Sequence, residues 1–170
     1  GTYATVHAAT SAMDAALHAV VARVNAGKPA SEAVKLDVAP IKGVGSAARK
    51  LFSDYNGDVF KLLDLYRCTV RCPAPAQQAA VAEAIEADTA LETLRFKNNM
   101  DLRKESPSGY RDTNASVRHV PSGVVFEVQT ATGSMLDMKA ASHEVYEGER
   151  SSALSTEYLG DANPKALERI

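Results

Sequence analysis

The chain has 170 residues and a net charge of −2 from 19 basic and 21 acidic side chains, with 45% hydrophobic and 24% charged residues. This is the composition of an ordinary soluble domain, long enough to bury about two-thirds of its unfolded surface. The charge balance excludes a global field for long nucleic acid, and no apolar run approaches the ~20 residues of a membrane helix.

In chain order, Val6 to Ala26 reads as an amphipathic helix. Met13, Leu17, Val20, Val21 and Val24 form its stripe, and Gly27 and Pro29 end it. His18, beside the stripe, is expected to be structural. A short helical piece is expected around Ser31 to Leu36. After Pro40, the segment IKGVGSAARKLFSDYNGD sets Lys42, Ser46 and Lys50 at four-residue intervals, on one face of a helix with Arg49 beside them. Such a row, behind two glycines, can hold a polyphosphate through charge-assisted hydrogen bonds; otherwise it is a solvated face.

FKLLDLYRCTVRC is rich in β-formers and reads as a strand with Asp64 near its start and Arg67 and Arg71 on the opposite face. An acid within an apolar strand is costly unless paired or metal-bound, which makes Asp64 a site candidate. Cys68 and Cys72 lie on one face of this strand, too far apart along it for a disulfide. None of His7, His18, His119 and His143 stands at zinc-ligand spacing from them, so both are expected as half-buried free thiols.

Pro73 and Pro75 open a helix over Ala76 to Ala87, and the strand ALETLRFKNN follows, with Arg95 and Lys97 on one face. Asn98 to Ser108 is expected to be a mobile loop. TNASVRHV and GVVFEVQT, joined by Pro121, Ser122 and Gly123, predict a hairpin in which Val124, Phe126 and Val128 take one face and Glu127 and Gln129 the other. A closing helix is expected from Met135 to about Arg150, with Met135, Met138, Ala141, Val145 and Tyr146 inward. The sum is an α/β fold: a mixed, partly antiparallel sheet of four to five strands flanked by helices.

Six pieces in this order resemble the synthetase domain of RelA/SpoT-type alarmone synthetases, in which ATP donates a pyrophosphate to the 3′ hydroxyl of a purine nucleotide. They are the Lys42, Ser46, Lys50 row; D-L-Y-R at Asp64 to Arg67; R-x-K-N at Arg95, Lys97 and Asn98; Gly109-Tyr110; E-x-Q at Glu127 and Gln129; and a helix bearing Met135, His143 and Tyr146. The resemblance runs from about Lys42 to Arg150 and implies a nucleotidyltransferase-like synthetase fold. It implies that Lys42, Ser46, Arg49 and Lys50 hold the ATP phosphates, with Arg95 and Lys97 neutralising phosphate charge. Asp64 and Glu127 would coordinate Mg²⁺, and Glu127 would accept the proton of the attacking hydroxyl. Tyr110 would stack on the acceptor base beside Asp112 and Asn114, and Gln129, Arg67 and His143 would support the site.

The pattern also departs from the family at Pro40, Ser108, Asp112, Asn114 and Ala131, mostly around acceptor and phosphate contacts. The chain starts at Gly1 without a secretory leader, which reads as a piece excised from a longer protein: one domain over 1–170, with an N-terminal helical part (1–38) and a catalytic core (39–150). Two readings follow. One is a small stand-alone synthetase making (p)ppGpp. The other, favoured by the altered acceptor motif, is a toxin domain making (p)ppApp in a bacterial cytoplasm, delivered within a larger effector and restrained by an immunity protein. A catalytically inactive nucleotide-binding module, a polymerase-like nucleotidyltransferase, and plain ion pairs of Asp64 and Glu127 with Arg67 and Arg95 are the other readings the residues allow. Neither nucleic acid nor membrane is an expected partner.

Overall fold

The computed structural model describes residues 2–141 apart from 104, 105, 107 and 108. Its first helix, α1 (Thr2–Asn25), begins a turn earlier than the sequence pattern suggests. Val6, Ala9, Met13, Leu17, Val20 and Val24 recur at three- and four-residue steps and are all buried, whereas Val21 is only partly so and His18 is exposed. Gly27 takes φ +71 and turns the chain out of the helix, a conformation that costs glycine little.

The short helix expected over 31–36 does not form. The Asn25 side chain receives a bond from Val34 N at 2.8 Å and donates to Val34 O at 2.9 Å. That amide satisfies Val34 as a strand neighbour would, and Val34 is buried. The chain leaves it extended, as strand β1 (Lys35–Val38).

Helix α2 (Val44–Tyr55) and a short 3-10 turn (Val59–Lys61) precede β2 (Arg67–Cys72). Helix α3 (Pro75–Glu86) starts with proline, whose missing N–H costs nothing in a first turn, and Gln77 reaches back to Ala74 N at 3.0 Å. Strands β3 (Leu91–Asn98), β4 (Thr113–His119) and β5 (Val125–Thr132) complete a five-stranded sheet of order β1-β2-β5-β4-β3. The β2–β5 pair is parallel and the other three are antiparallel, which is the mixed sheet the sequence predicts. The last helix begins at residue 133 and is described to 141, where Met135 and Met138 are half-buried but Ala141 is exposed.

Alternation along β2 and β5 sorts the two sheet faces. Cys68, Val70, Cys72, Phe126 and Val128 enter one core with the apolar stripe of α1 and with Val81 and Ile85 of α3. Both cysteines are free and buried, and burial raises their thiols, Cys72 to about 11. The other face, bearing Arg67, Glu127 and Gln129, is left for the site.

Tyr66 ties the two together. It is 1% exposed, stands edge-on to Phe126 with centroids 5.5 Å apart, and its hydroxyl donates to Asp14 of α1. Its carbonyl accepts from Glu127 N at 3.1 Å. Tyr66→Phe deprives the half-buried Asp14 of this donor. It is expected to cost about 1–3 kcal/mol and to lower the melting temperature by several degrees, with the circular dichroism spectrum unchanged.

Candidate active site

Two anchors place the first cation. Lys42 lies in the loop before α2, not in the helix as its spacing suggests, because the helix begins only after Gly43. Lys42 N donates to Leu65 O at 2.8 Å, and Lys42 O accepts from the Tyr3 hydroxyl of α1 at 2.8 Å. Asp64 likewise precedes its strand: β2 starts at Arg67, and residues 62–66 form the connection that Lys42 N and Tyr66 fasten to the core. Lys42 and Lys50, the two ends of the row, are therefore brought together on Asp64 by tertiary bonds instead of helical periodicity.

Asp64 is 7% exposed. Its Oδ2 accepts from Lys42 Nζ and from Lys50 Nζ, the latter at 2.7 Å, while its Oδ1 is buried with no hydrogen-bond partner. Burial pushes the carboxyl up, but the two lysine bonds outweigh burial and hold it below the usual carboxylate range. Burial opposes the charge on Lys50 as well, yet Asp64 wins and its ammonium is held above the ordinary value. Lys50 also lies over the Tyr55 ring at 5.5 Å. Ser46 and Arg49 occupy exposed positions on α2.

Glu127 pairs with Arg67 across the parallel β2–β5 ladder and with Ser116 across β4–β5. A register shift between Thr93 and Arg95 in β3 then puts Arg95 opposite Ser116 and Lys97 opposite Asn114. Both cations thus reach the face that Glu127 occupies, as their alternation predicts.

These groups wall a cavity of about 260 Å³ lined by Lys50, Asp64, Arg95, Lys97, Asn114 and Glu127, among others. A second cavity, of about 350 Å³, is lined by Arg67, Thr69, Glu127, Gln129, Leu136 and Lys139, among others. Glu127 belongs to both. Asp64 and Glu127 are thus two carboxylates facing one cation-lined space, far apart in sequence and joined by the fold.

Beyond Glu127, Gln129 organises a polar cluster. Its Nε2 donates to Asp112 Oδ2 and, at 3.1 Å, to the Tyr110 hydroxyl, while its Oε1 accepts from Lys139 Nζ at 2.7 Å. Asn99 donates to the other Asp112 oxygen at 2.6 Å. Asp112 is therefore buried and bonded within this cluster, and together with Asn99 and Asn114 it also lines the smaller cavity. Burial and the neighbouring Asp112 push the Tyr110 phenol well above its ordinary value, so it stays protonated.

Two members, Asn99 and Lys139, are not among the residues the sequence singles out. The signal for Lys139 is its place as the single basic residue in 133–141, four residues after Met135. His143, Tyr146 and Ser108 lie outside the described residues.

The donor set suits Mg²⁺, which takes one or two carboxylates together with substrate phosphates and water. Asp64 offers an ionised carboxylate with an unengaged buried oxygen, and Glu127 offers the second acid. Among the described residues there is no cluster of three or more His, Cys, Asp or Glu side chains suited to a metal. No helix among the described residues is long and apolar enough to cross a membrane.

The architecture is the fold of RelA/SpoT-type alarmone synthetases. Small alarmone synthetase 2 from Bacillus subtilis superposes with a TM-score of 0.68 at 19% identity, covering 84% of this chain and 77% of that one. Small alarmone synthetase 1 from the same organism, bound to its product pppGpp, gives 0.65 at 18% identity over 84% of this chain and 78% of that one. The Type VI effector Tas1, in complex with its immunity protein, gives 0.57 at 24% identity over 79% of this chain and 61% of that one. No protein-family model and no curated protein sequence matches the chain.

Proposed function

We propose that the chain is an ATP:purine-nucleotide 3′-pyrophosphokinase. It transfers the β,γ-pyrophosphate of ATP to the 3′ hydroxyl of an acceptor nucleotide and releases AMP. The observation that carries this reading is Glu127 on the wall between two cavities, one of them also lined by Asp64 and several cations. A reaction joining two nucleotides needs two adjoining chambers with a base at their junction.

In this reading Lys42, Ser46, Arg49 and Lys50 hold the donor phosphates, and Arg95 and Lys97 neutralise phosphate charge. Asp64 and Glu127 hold Mg²⁺, which supplies charge neutralisation at the phosphoryl oxygens. Glu127 takes the proton of the acceptor 3′ hydroxyl. That oxygen bonds to the β-phosphorus as the bond to the bridging oxygen of AMP breaks. Tyr110 stacks on the acceptor base, held by Gln129 and Asp112, with Asn114 also binding the acceptor, while Arg67 backs Glu127 across the ladder and His143 is a further supporting residue of the site.

The acceptor is an adenosine nucleotide, giving (p)ppApp as a toxin activity in a bacterial cytoplasm, with an immunity protein as partner. The altered motif GYRDTN and the likeness in fold to Tas1 support this. The second reading, a guanosine acceptor giving (p)ppGpp, is favoured by the higher TM-scores of the small alarmone synthetases. Incubation with ATP plus AMP, ADP, GDP or GTP in turn, with products identified by mass, separates them. Pyrophosphorylated adenosine nucleotides are expected. Exclusive guanosine products would overturn the acceptor assignment, and tight nucleotide binding with no product over hours would leave a binding module.

A further inference from the structure

Among the described residues, Lys139 is the cation that the closing helix contributes to the larger cavity. Leu136, Lys139 and Ala140 sit at three- and four-residue spacing, and all line that cavity, so this face of the helix forms its lid. The ammonium of Lys139 is held on Gln129 Oε1 at 2.7 Å and lies 5.5 Å from the centre of the Tyr110 ring. Glu127 and Arg67 line the same space. Lys139 thus lies by the aromatic ring and shares a cavity with the carboxylate.

Resting on the two-nucleotide reading above, we propose that Lys139 is a specificity-determining residue that binds the 5′-phosphate of the acceptor nucleotide. An acceptor whose base lies on Tyr110 and whose 3′ hydroxyl reaches Glu127 must pass its ribose between these two groups, and the 5′-phosphate leaves the same ring. The structure puts an ammonium there, with the Arg67 guanidinium in the same cavity. Lys139 is also poised to change partners. The Gln129 acceptor is a neutral amide oxygen, and an ammonium gains more from an anion than from an amide. Burial draws its amino group below the usual lysine range, although Asp112 and Glu127 oppose this.

The alternative role, holding Gln129 and through it Tyr110, acts on the base and not on the phosphate. Calorimetry with the nucleoside, its 5′-monophosphate and its 5′-diphosphate, in adenine and guanine series, distinguishes the two in wild type, Lys139→Met and Lys139→Arg. In wild type the phosphate is expected to tighten binding about ten- to a hundred-fold over the nucleoside. Lys139→Met is expected to remove most of that advantage while nucleoside affinity stays within about two-fold, and Lys139→Arg is expected to restore much of it. Equal weakening of nucleoside and nucleotide by Lys139→Met, or no change in either, overturns the assignment while leaving the two-nucleotide reading intact. Failure of wild type to bind any of these compounds overturns both.

Discussion

Glu127→Gln is expected to lower AMP release from ATP by about 10²–10⁴-fold with the fold intact. The substitution keeps the shape and the hydrogen-bonding backbone of β5, where Glu127 N is bonded to Tyr66 O. It removes the carboxylate that the proposed mechanism asks of this side chain, both as proton acceptor and as a ligand for Mg²⁺. Two measurements separate chemistry from stability: AMP formation followed over time, and a thermal melt. Turnover undiminished in a folded Glu127→Gln protein would sink the assignment of this residue as the base.

Asp64→Asn should have a comparable effect on turnover, about 10³-fold, and unlike Glu127→Gln it should also weaken the fold. Removing one member of a buried ion pair leaves the others with an uncompensated charge, at a cost of roughly 3 kcal/mol. Here two ammoniums, Lys42 and Lys50, lose the same partner, and their side chains are only 12% and 25% exposed. The sign of the pH dependence follows from the lowered carboxyl. A group whose folded value is depressed contributes stability that is fully present above its unfolded value and lost as pH falls through the folded one. The Asp64 contribution is therefore complete above the ordinary value of 3.8 and disappears below it. Acid unfolding of the Asn variant should accordingly be shallower in that window than that of wild type. Parallel acid limbs in the two proteins would argue against the ion pairs.

The parts of the site that were legible in the sequence are those that regular elements place. Period-2 alternation put Glu127 and Gln129 on one side of β5, and the same rule carried Arg95 and Lys97 to one face even though β3 contains a bulge. The strand order cannot be read, because the parallel β2–β5 pairing joins residues sixty positions apart.

Residue type marks Lys42 and Asp64 as candidates, yet both lie outside the helix and strand that their local pattern predicts. Their positions depend on Tyr3, Leu65 and Tyr66, which bond over long separations and leave no local period. Strand β1 was missed for the same reason, since the Asn25 amide that shapes Val34 lies in the preceding helix. Lys139 escaped notice because a lysine on a helix otherwise read by its methionines resembles a surface residue until the cavity beneath it is visible.

The paired lysines on Asp64 mean that the free protein already contains an anion of its own where the proposed donor phosphates bind. Asp64 is in effect a resident stand-in for phosphate. A newcomer bearing a single charge gains little by displacing it, because the lysines exchange one anion for another of similar strength. A triphosphate presents several charges in a row and can satisfy both lysines at once while leaving Asp64 to a cation. Such a site would discriminate by charge multiplicity, favouring a polyphosphate over a monovalent anion such as chloride without any contact dedicated to excluding the latter.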